Sequence, residues 1–142
     1  MKPSFVIDAS VIIAWCNPDE NNRYAEGILD CLRHDIAIAP PLCCLEVNNV
    51  LWMLEKKNRV SHFDVEKIIA SINHLPIIRD NTPLDFQIPL VSSLARHYSL
   101  TIYDACYLEL ATRLNLPLAT LDQQLIHAAE AAGIGIKAQN AT

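Results

Sequence analysis

Glycine is scarce in this chain, with three in 142 residues. No Gly-x-x-x-x-Gly-Lys loop, no Gly-x-Gly-x-x-Gly turn and no Gly-x-Ser-x-Gly elbow is present. Nucleotide-triphosphate hydrolysis, dinucleotide redox chemistry and acyl transfer therefore lack their usual hardware. The five histidines (His34, His62, His74, His97 and His127) show no His-Glu-x-x-His spacing, which removes the common zinc-hydrolase signal. The five cysteines are odd in number and have no Cys-x-x-Cys spacing, and Cys43 and Cys44 are neighbours. Such a set reads as small apolar residues in a reducing cytoplasm, not as a disulfide framework. Long apolar runs are missing too. The stretch Ser4 to Cys16 is broken by Asp8, is too short to span a bilayer, and lacks the small-residue cleavage pattern of a secretory signal. A soluble, cytoplasmic protein without a membrane partner is expected. Aromatics are few, at 6%, which favours aliphatic α/β packing over an aromatic-rich β sandwich. Cations are also outnumbered: 11 Lys and Arg face 16 Asp and Glu, a formal charge of −5. On its own that balance opposes phosphate binding, unless metal ions reverse the sign where a phosphate would sit.

What is present is a packed chain, 51% hydrophobic and 19% charged. Its length fits one domain, expected over residues 1–138 with a short tail at 139–142. Phe5 to Asp8, Ile36 to Ala39, Leu75 to Ile78, Leu116 to Ala119 and Ile134 to Lys137 read as short buried strands. Pro76 places the third of these at a sheet edge. Between them lie helical patterns at Ala9–Trp15, Asn22–His34, Leu42–Lys57, Ser61–Asn73, Leu84–Tyr98, Tyr103–Leu114 and Leu121–Ala132, the last stopped by Gly133. The alternation predicts an α/β fold: a three-layer α/β/α sandwich on a mainly parallel five-stranded sheet.

Four carboxylates stand at conspicuous points in this layout. Asp8 closes the first strand, with Ser10 just beyond it as a second oxygen. Glu46 lies in an apolar helix, on a face shared with Leu42, Asn49, Val50 and Met53, and Asn49 is spaced to orient it. A carboxylate on such a face is costly unless something positive holds it. Asp104 begins the helix before the fourth strand, and Asp122 begins the helix after it. Each has a plain structural account: Asp8 and Asp104 suit helix N-termini, and Thr120-Leu121-Asp122-Gln123 fits a capping box with Thr120 as the cap. Ligands of open α/β sheets bind beyond the carboxyl ends of the strands, and all four acids can reach that end. Hard oxygen donors suit Mg²⁺ or Mn²⁺. Two such ions about 3.5–4 Å apart can activate water and stabilise the leaving oxygen of a phosphodiester.

Val6-Ile7-Asp8-Ala9-Ser10, Glu46-Val47-Asn48-Asn49-Val50-Leu51, Leu100-Thr101-Ile102-Tyr103-Asp104-Ala105 and Leu118-Ala119-Thr120-Leu121-Asp122 follow one another in the order seen in PIN-domain proteins. The chain most resembles the VapC-type toxins of bacterial toxin–antitoxin pairs, over essentially its whole length. The resemblance implies a Mg²⁺- or Mn²⁺-dependent endoribonuclease. It matches Asp8, Glu46 and Asp104 to the family's three core acids, Asp122 to a more variable fourth, and Ser10 and Thr120 to hydroxyls beside the metal. It also implies a homodimer, a cognate antitoxin protein whose segment occupies the acidic groove, and a structured RNA substrate.

Two other classes stay open. One is a catalytically inactive PIN-fold scaffold. The other is a metal-dependent binding module, although the Asp8-Ala9-Ser10 start of an Asp-x-Ser-x-Ser motif fails at Ile12. An aspartyl-phosphate enzyme is disfavoured, because position 10 is Ser where a second Asp is needed.

Overall fold

A computed structural model describes residues 2–139. Four strands, β1 (Phe5–Ile7), β2 (Ala37–Ala39), β3 (Ile77–Arg79) and β4 (Leu118–Ala119), form one sheet in the order β3-β2-β1-β4. Every pairing is parallel: Val6 lies between Ile38 of β2 and Leu118 of β4, and Ala37 pairs with Ile77 of β3. Such strands are buried on both faces and read as continuous apolar runs. Residues 5–7, 37–39 and 118–119 are all buried. β3 is the edge strand expected from Pro76, whose carbonyl accepts from the Ala37 amide.

The sheet has four strands where five were expected. The segment at Ile134 to Lys137 contributes a single bridge, Ile136 to Leu118. Leu118 donates to the Gly135 carbonyl and accepts from the Lys137 amide, both at 2.9 Å. The ladder stops there because the neighbouring groups are engaged elsewhere: the Leu116 amide donates to the Ala111 carbonyl at the end of α6, and the Lys137 carbonyl accepts from the Tyr24 hydroxyl.

Among the described residues, seven helices flank the sheet: α1 (Ala9–Cys16), α2 (Arg23–Cys31), α3 (Leu42–Lys56), α4 (His62–Asn73), α5 (Leu84–Tyr98), α6 (Ile102–Leu114) and α7 (Gln123–Ala131). Their starts follow local chemistry. Ser61 and Asp64 close a full capping box on α4, and Thr101 accepts from the Asp104 amide at the start of α6. α7 ends as expected at Gly133, whose φ of 79° suits glycine. α6 is the central helix, with Ala105 to Ala111 buried without a break. It packs on β1, β4, α5 and α7. One continuous core links Phe5, Ile7, Ile28, Leu51, Leu108, Leu118 and Leu125. Of the expected tail at 139–142, residues 140–142 lie outside the described residues.

A second polar cluster is buried at the far end of α6. Arg113 donates to Asp80 Oδ2 at 2.6 Å and to Glu109 Oε2 at 2.8 Å, while Gln87 donates to Asp80 Oδ2 at 2.9 Å. Burial pushes the Asp80 carboxyl up, but hydrogen bonds from Arg113 and Thr82 outweigh it and hold Asp80 below the usual carboxylate range. The cluster ties the loop after β3 to α5 and α6.

Candidate active site

The sheet order reverses direction at β1. The chain steps from β1 to β2 and β3 on one side, then crosses to β4 on the other. A crevice opens beyond the carboxyl ends of two such neighbouring strands. Asp8 follows β1 directly, and Thr120, Leu121 and Asp122 follow β4. The Asp8 amide donates to the Ala119 carbonyl at 2.9 Å, which fixes the two strand ends side by side.

Asp8 is 5% exposed, and Thr120 beside it 2%. Ser10 Oγ donates to Asp8 Oδ2 at 2.6 Å, and Thr120 Oγ1 donates to the same oxygen at 2.8 Å. These hydroxyls point at Asp8 for a reason. Ser10 Oγ accepts from the Leu121 amide and Thr120 Oγ1 from the Asp122 amide, both at 3.0 Å, which leaves each hydroxyl hydrogen free to donate. Asp8 Oδ1 receives no hydrogen bond among the described residues, since α1 has no side-chain cap.

Glu46 is half-buried on α3. The Tyr107 hydroxyl of α6 donates to Glu46 Oε1 at 2.6 Å. Sequence reasoning assigned the orienting role to Asn49. That residue is exposed, and among the described residues no hydrogen bond joins it to Glu46. Tyr107 was missed because it reads as one more apolar residue of a core helix. The available signal was its spacing: Tyr107 lies three residues after Asp104, on the same face of α6.

The expected capping box at 120–123 also differs in the structure. Asp122, not Thr120, caps α7, and its Oδ1 accepts from the Gln124 and Leu125 amides. Thr120 is drawn instead to Asp8, a partner 112 positions away that no local pattern reveals. Asp104 occupies the first turn of α6, next to its Thr101 cap.

The four carboxylates act on one another. Burial raises the Asp8 carboxyl above its usual range, the Ser10 and Thr120 hydroxyls oppose this, and the charge of Asp122 adds to it. Burial raises Glu46, the Tyr107 hydroxyl opposes, and Asp8 and Asp104 push it further up. Burial raises Asp104, and Asp122 and Asp8 reinforce that. None of the four is ion-paired to a Lys, Arg or His among the described residues.

This donor set fits a hard divalent cation. It is all oxygen, it is anionic, and it carries a mutual repulsion that a cation would relieve. Three of the acids share one device. Asp8 has Oδ2 tethered, Glu46 has Oε1 tethered and Asp122 has Oδ1 tethered, each leaving the second oxygen without a donor. Among the described residues, no group of three His, Cys, Asp or Glu side chains stands ready as a metal cage. Mg²⁺ needs none, because it keeps several waters and is held by few carboxylates plus substrate phosphate.

Kinship agrees with this layout. The PIN domain family profile matches residues 5–131, a span that holds all four acids. Ribonuclease VapC1 of Mycobacterium tuberculosis is 34% identical over 122 residues, covering 84% of this chain and 86% of its own length. Ribonuclease VapC3 of Pyrobaculum aerophilum is 25% identical over 132 residues, with 84% and 90% covered. Among solved structures, the Mycobacterium tuberculosis toxin VapC20, which cleaves the sarcin–ricin loop, superposes with a TM-score of 0.68 at 16% identity, covering 95% of this chain and 99% of its own. A toxin–antitoxin complex from Klebsiella pneumoniae gives 0.63 at 17% identity, with 87% and 90% covered. From β1 to α7, and on both sequence and fold, the chain belongs to the PIN domain family and groups with its VapC-type members.

Proposed function

We propose that this chain is a divalent-metal-dependent endoribonuclease, the toxin of a toxin–antitoxin pair, with its activity in a single domain of residues 1–138. The observation that carries the reading is the quartet itself. Asp8 and Asp122 follow the adjoining strands β1 and β4 at the switch point of the parallel sheet, and the charges of Asp8, Asp104 and Asp122 push up carboxyls of the same set. The ribonuclease names of the sequence relatives agree with it.

Asp8, Glu46, Asp104 and Asp122 would hold Mg²⁺ or Mn²⁺. Bound there, the ion supplies a polarised phosphate oxygen and a water acidic enough to attack phosphorus at neutral pH. The protein's own part is orientation. Ser10, Thr120 and Tyr107 fix the carboxylates before substrate arrives, so little reorganisation remains for the reaction itself.

The partners follow from the same reading. RNA is the substrate. Large apolar side chains are exposed on α3 and α4, with Leu45 at 74% and Phe63 at 64%, and on α5, with Phe86 at 74% and Leu84 at 60%. Exposed apolar surface of this kind suits protein partners, a second copy of the chain and a cognate antitoxin. No helix among the described residues is long and apolar enough to cross a membrane, and the cytoplasm is the compartment proposed.

The test is purified protein on total RNA, with Mg²⁺ or Mn²⁺ and with EDTA, beside Asp8→Asn and Asp104→Asn. Discrete fragments that appear only with metal and wild-type protein support the assignment. Cleavage that survives EDTA or Asp104→Asn rejects it. Metal binding without cleavage of any RNA would leave the chain a binding module or an inactive scaffold.

A further inference from the structure

Resting on the ribonuclease reading above, we infer that the cavity between the end of α5 and the first turns of α7 is a nucleobase subsite, which takes the base of a nucleotide flanking the cleaved phosphodiester.

The cavity measures about 340 Å³ and is lined by Tyr98, Ser99, Gln124, His127 and Ala128. That volume lies at the lower end of small-ligand sites. Both of its walls lead into the acidic site along the chain. Tyr98 ends α5, Ser99 turns the chain with a φ of 55°, and Asp104 follows five residues later in the first turn of α6. On the other wall, Gln124 and His127 stand two and five residues beyond Asp122, the cap of α7. At the helical rise, that is about 3 Å and 7.5 Å along the axis. α6 and α7 pack together, and the Asp122 charge reaches the Asp104 carboxyl. The cavity thus adjoins the two helix starts that carry these acids.

The lining selects the class of ligand. It holds no Lys or Arg, so a phosphate would meet no fixed counter-charge, and no Asp or Glu, so a cation would meet no carboxylate. It offers one phenol ring and the polar side chains of Ser99, Gln124 and His127. Proteins take unpaired bases by stacking them on aromatic rings and hydrogen-bonding their edges. Tyr98 is half-buried against the core, and the His97 ring meets it at 88° with centres 4.6 Å apart, so its ring is held in place. Gln124, His127 and Ala128 are spaced to share one face of α7. Ser99, Gln124 and His127 are exposed, and among the described residues their side chains enter no hydrogen bond. Gln124 carries both a donor and an acceptor, as the edge of a base does. A flat group with a polar edge, and without charge, is the ligand that uses all of these.

Sequencing the fragment ends of total RNA, cut in Mg²⁺ or Mn²⁺, reads the base at every position around the cut. Wild-type protein is expected to prefer one base at a single flanking position. In Gln124→Ala that preference is expected to weaken at least about fivefold at the same position alone, as loss of one base contact does. A merely structural role would slow all cuts alike and leave the pattern as it was. Tyr98→Leu removes the ring. KM for a single-stranded RNA of the preferred sequence is then expected to rise about 5- to 150-fold, the range for loss of one base–aromatic stack, while Tyr98→Phe keeps the wild-type KM. Wild-type cutting without base preference, an unchanged preference in Gln124→Ala, or a wild-type KM in Tyr98→Leu overturns the inference while the ribonuclease reading stands. Wild-type protein that cuts no RNA overturns both. Should Tyr98→Leu not fold, the pattern in Gln124→Ala decides alone, because Gln124 is exposed and its substitution leaves the core untouched.

Discussion

Thr120 Oγ1 sits 2.8 Å from Asp8 Oδ2, across 112 positions of sequence, and the same hydroxyl accepts the Asp122 amide at 3.0 Å. One threonine thus joins the end of the first strand, the loop after the fourth and the cap of the last helix. Thr120→Val is expected to lower RNA cleavage roughly 10- to 100-fold, as loss of a supporting hydrogen bond does at metal sites. The part-buried Asp122 amide also loses its acceptor, at a cost of about 1 kcal/mol. Cleavage rates and a urea melt on the same preparation check both effects.

Asp122 serves both as a helix cap and as a candidate ligand, and two substitutions separate the roles. Asn is as good an N-cap as Asp, whereas Ala costs about 1 kcal/mol there. Asp122→Asn is therefore expected to keep wild-type stability and lose activity. Asp122→Ala is expected to lose both. If Asp122→Asn retains full cleavage, Asp122 is only a cap.

Acidity acts on this protein in opposite directions at its two polar clusters. Asp8, Glu46 and Asp104 have raised folded-state pKa values, chiefly from burial. Above the ordinary carboxylate value of about 4, the folded state holds these protons more tightly than the unfolded one. Stability contributed by the three groups is complete below that value and is lost as pH rises through their folded pKa values. Metal-free protein should therefore melt higher at pH 5 than at pH 7, and Mn²⁺ should raise the melting temperature more at pH 7 than at pH 5. Asp80 is lowered, so its contribution is present above about 4 and disappears as pH falls through its folded value. Scanning calorimetry across pH, with EDTA and with Mn²⁺, reads both trends. A metal-free melting temperature that falls steadily from pH 7 to pH 5 contradicts the first.

Arg113 is the counter-ion of two buried acids, Asp80 and Glu109. Arg113→Leu strands both charges and is expected to cost about 3–5 kcal/mol, as breaking a buried pair does. Arg113→Lys is expected to fall between the two, because a point charge cannot reproduce the fork that now reaches Asp80, Glu109 and Thr82. Chemical denaturation measures the series.

Much of this site is legible in the chain before any coordinates. Asp8 at the end of an apolar strand and Glu46 inside an apolar helix are electrostatic misfits, and misfits survive reading. The strand–helix alternation gives the parallel sheet and the end at which ligands gather. What escapes is pairing at long range. The Tyr107–Glu46 bond spans 61 positions, and nothing near Tyr107 announces a polar partner. Glu109 and Arg113 show helical pair spacing, but their burial and their link to Asp80 depend on where the loop after β3 lands. The fifth strand fails because its next partners are engaged elsewhere, the Leu116 amide by Ala111 and the Lys137 carbonyl by Tyr24, the second a contact across 113 positions.

The strand order also has a consequence for timing. β1 is synthesised first and β4 last, yet they are neighbours, and the quartet draws on both. A ribosome has added more than a hundred residues after Asp8 before Thr120 can meet it. A fragment that ends between residues 104 and 117 carries three of the four acids but neither the Thr120 hydroxyl nor the strand that holds Asp8 in place. The proposed site is thereby incomplete on any nascent chain that has not yet formed β4.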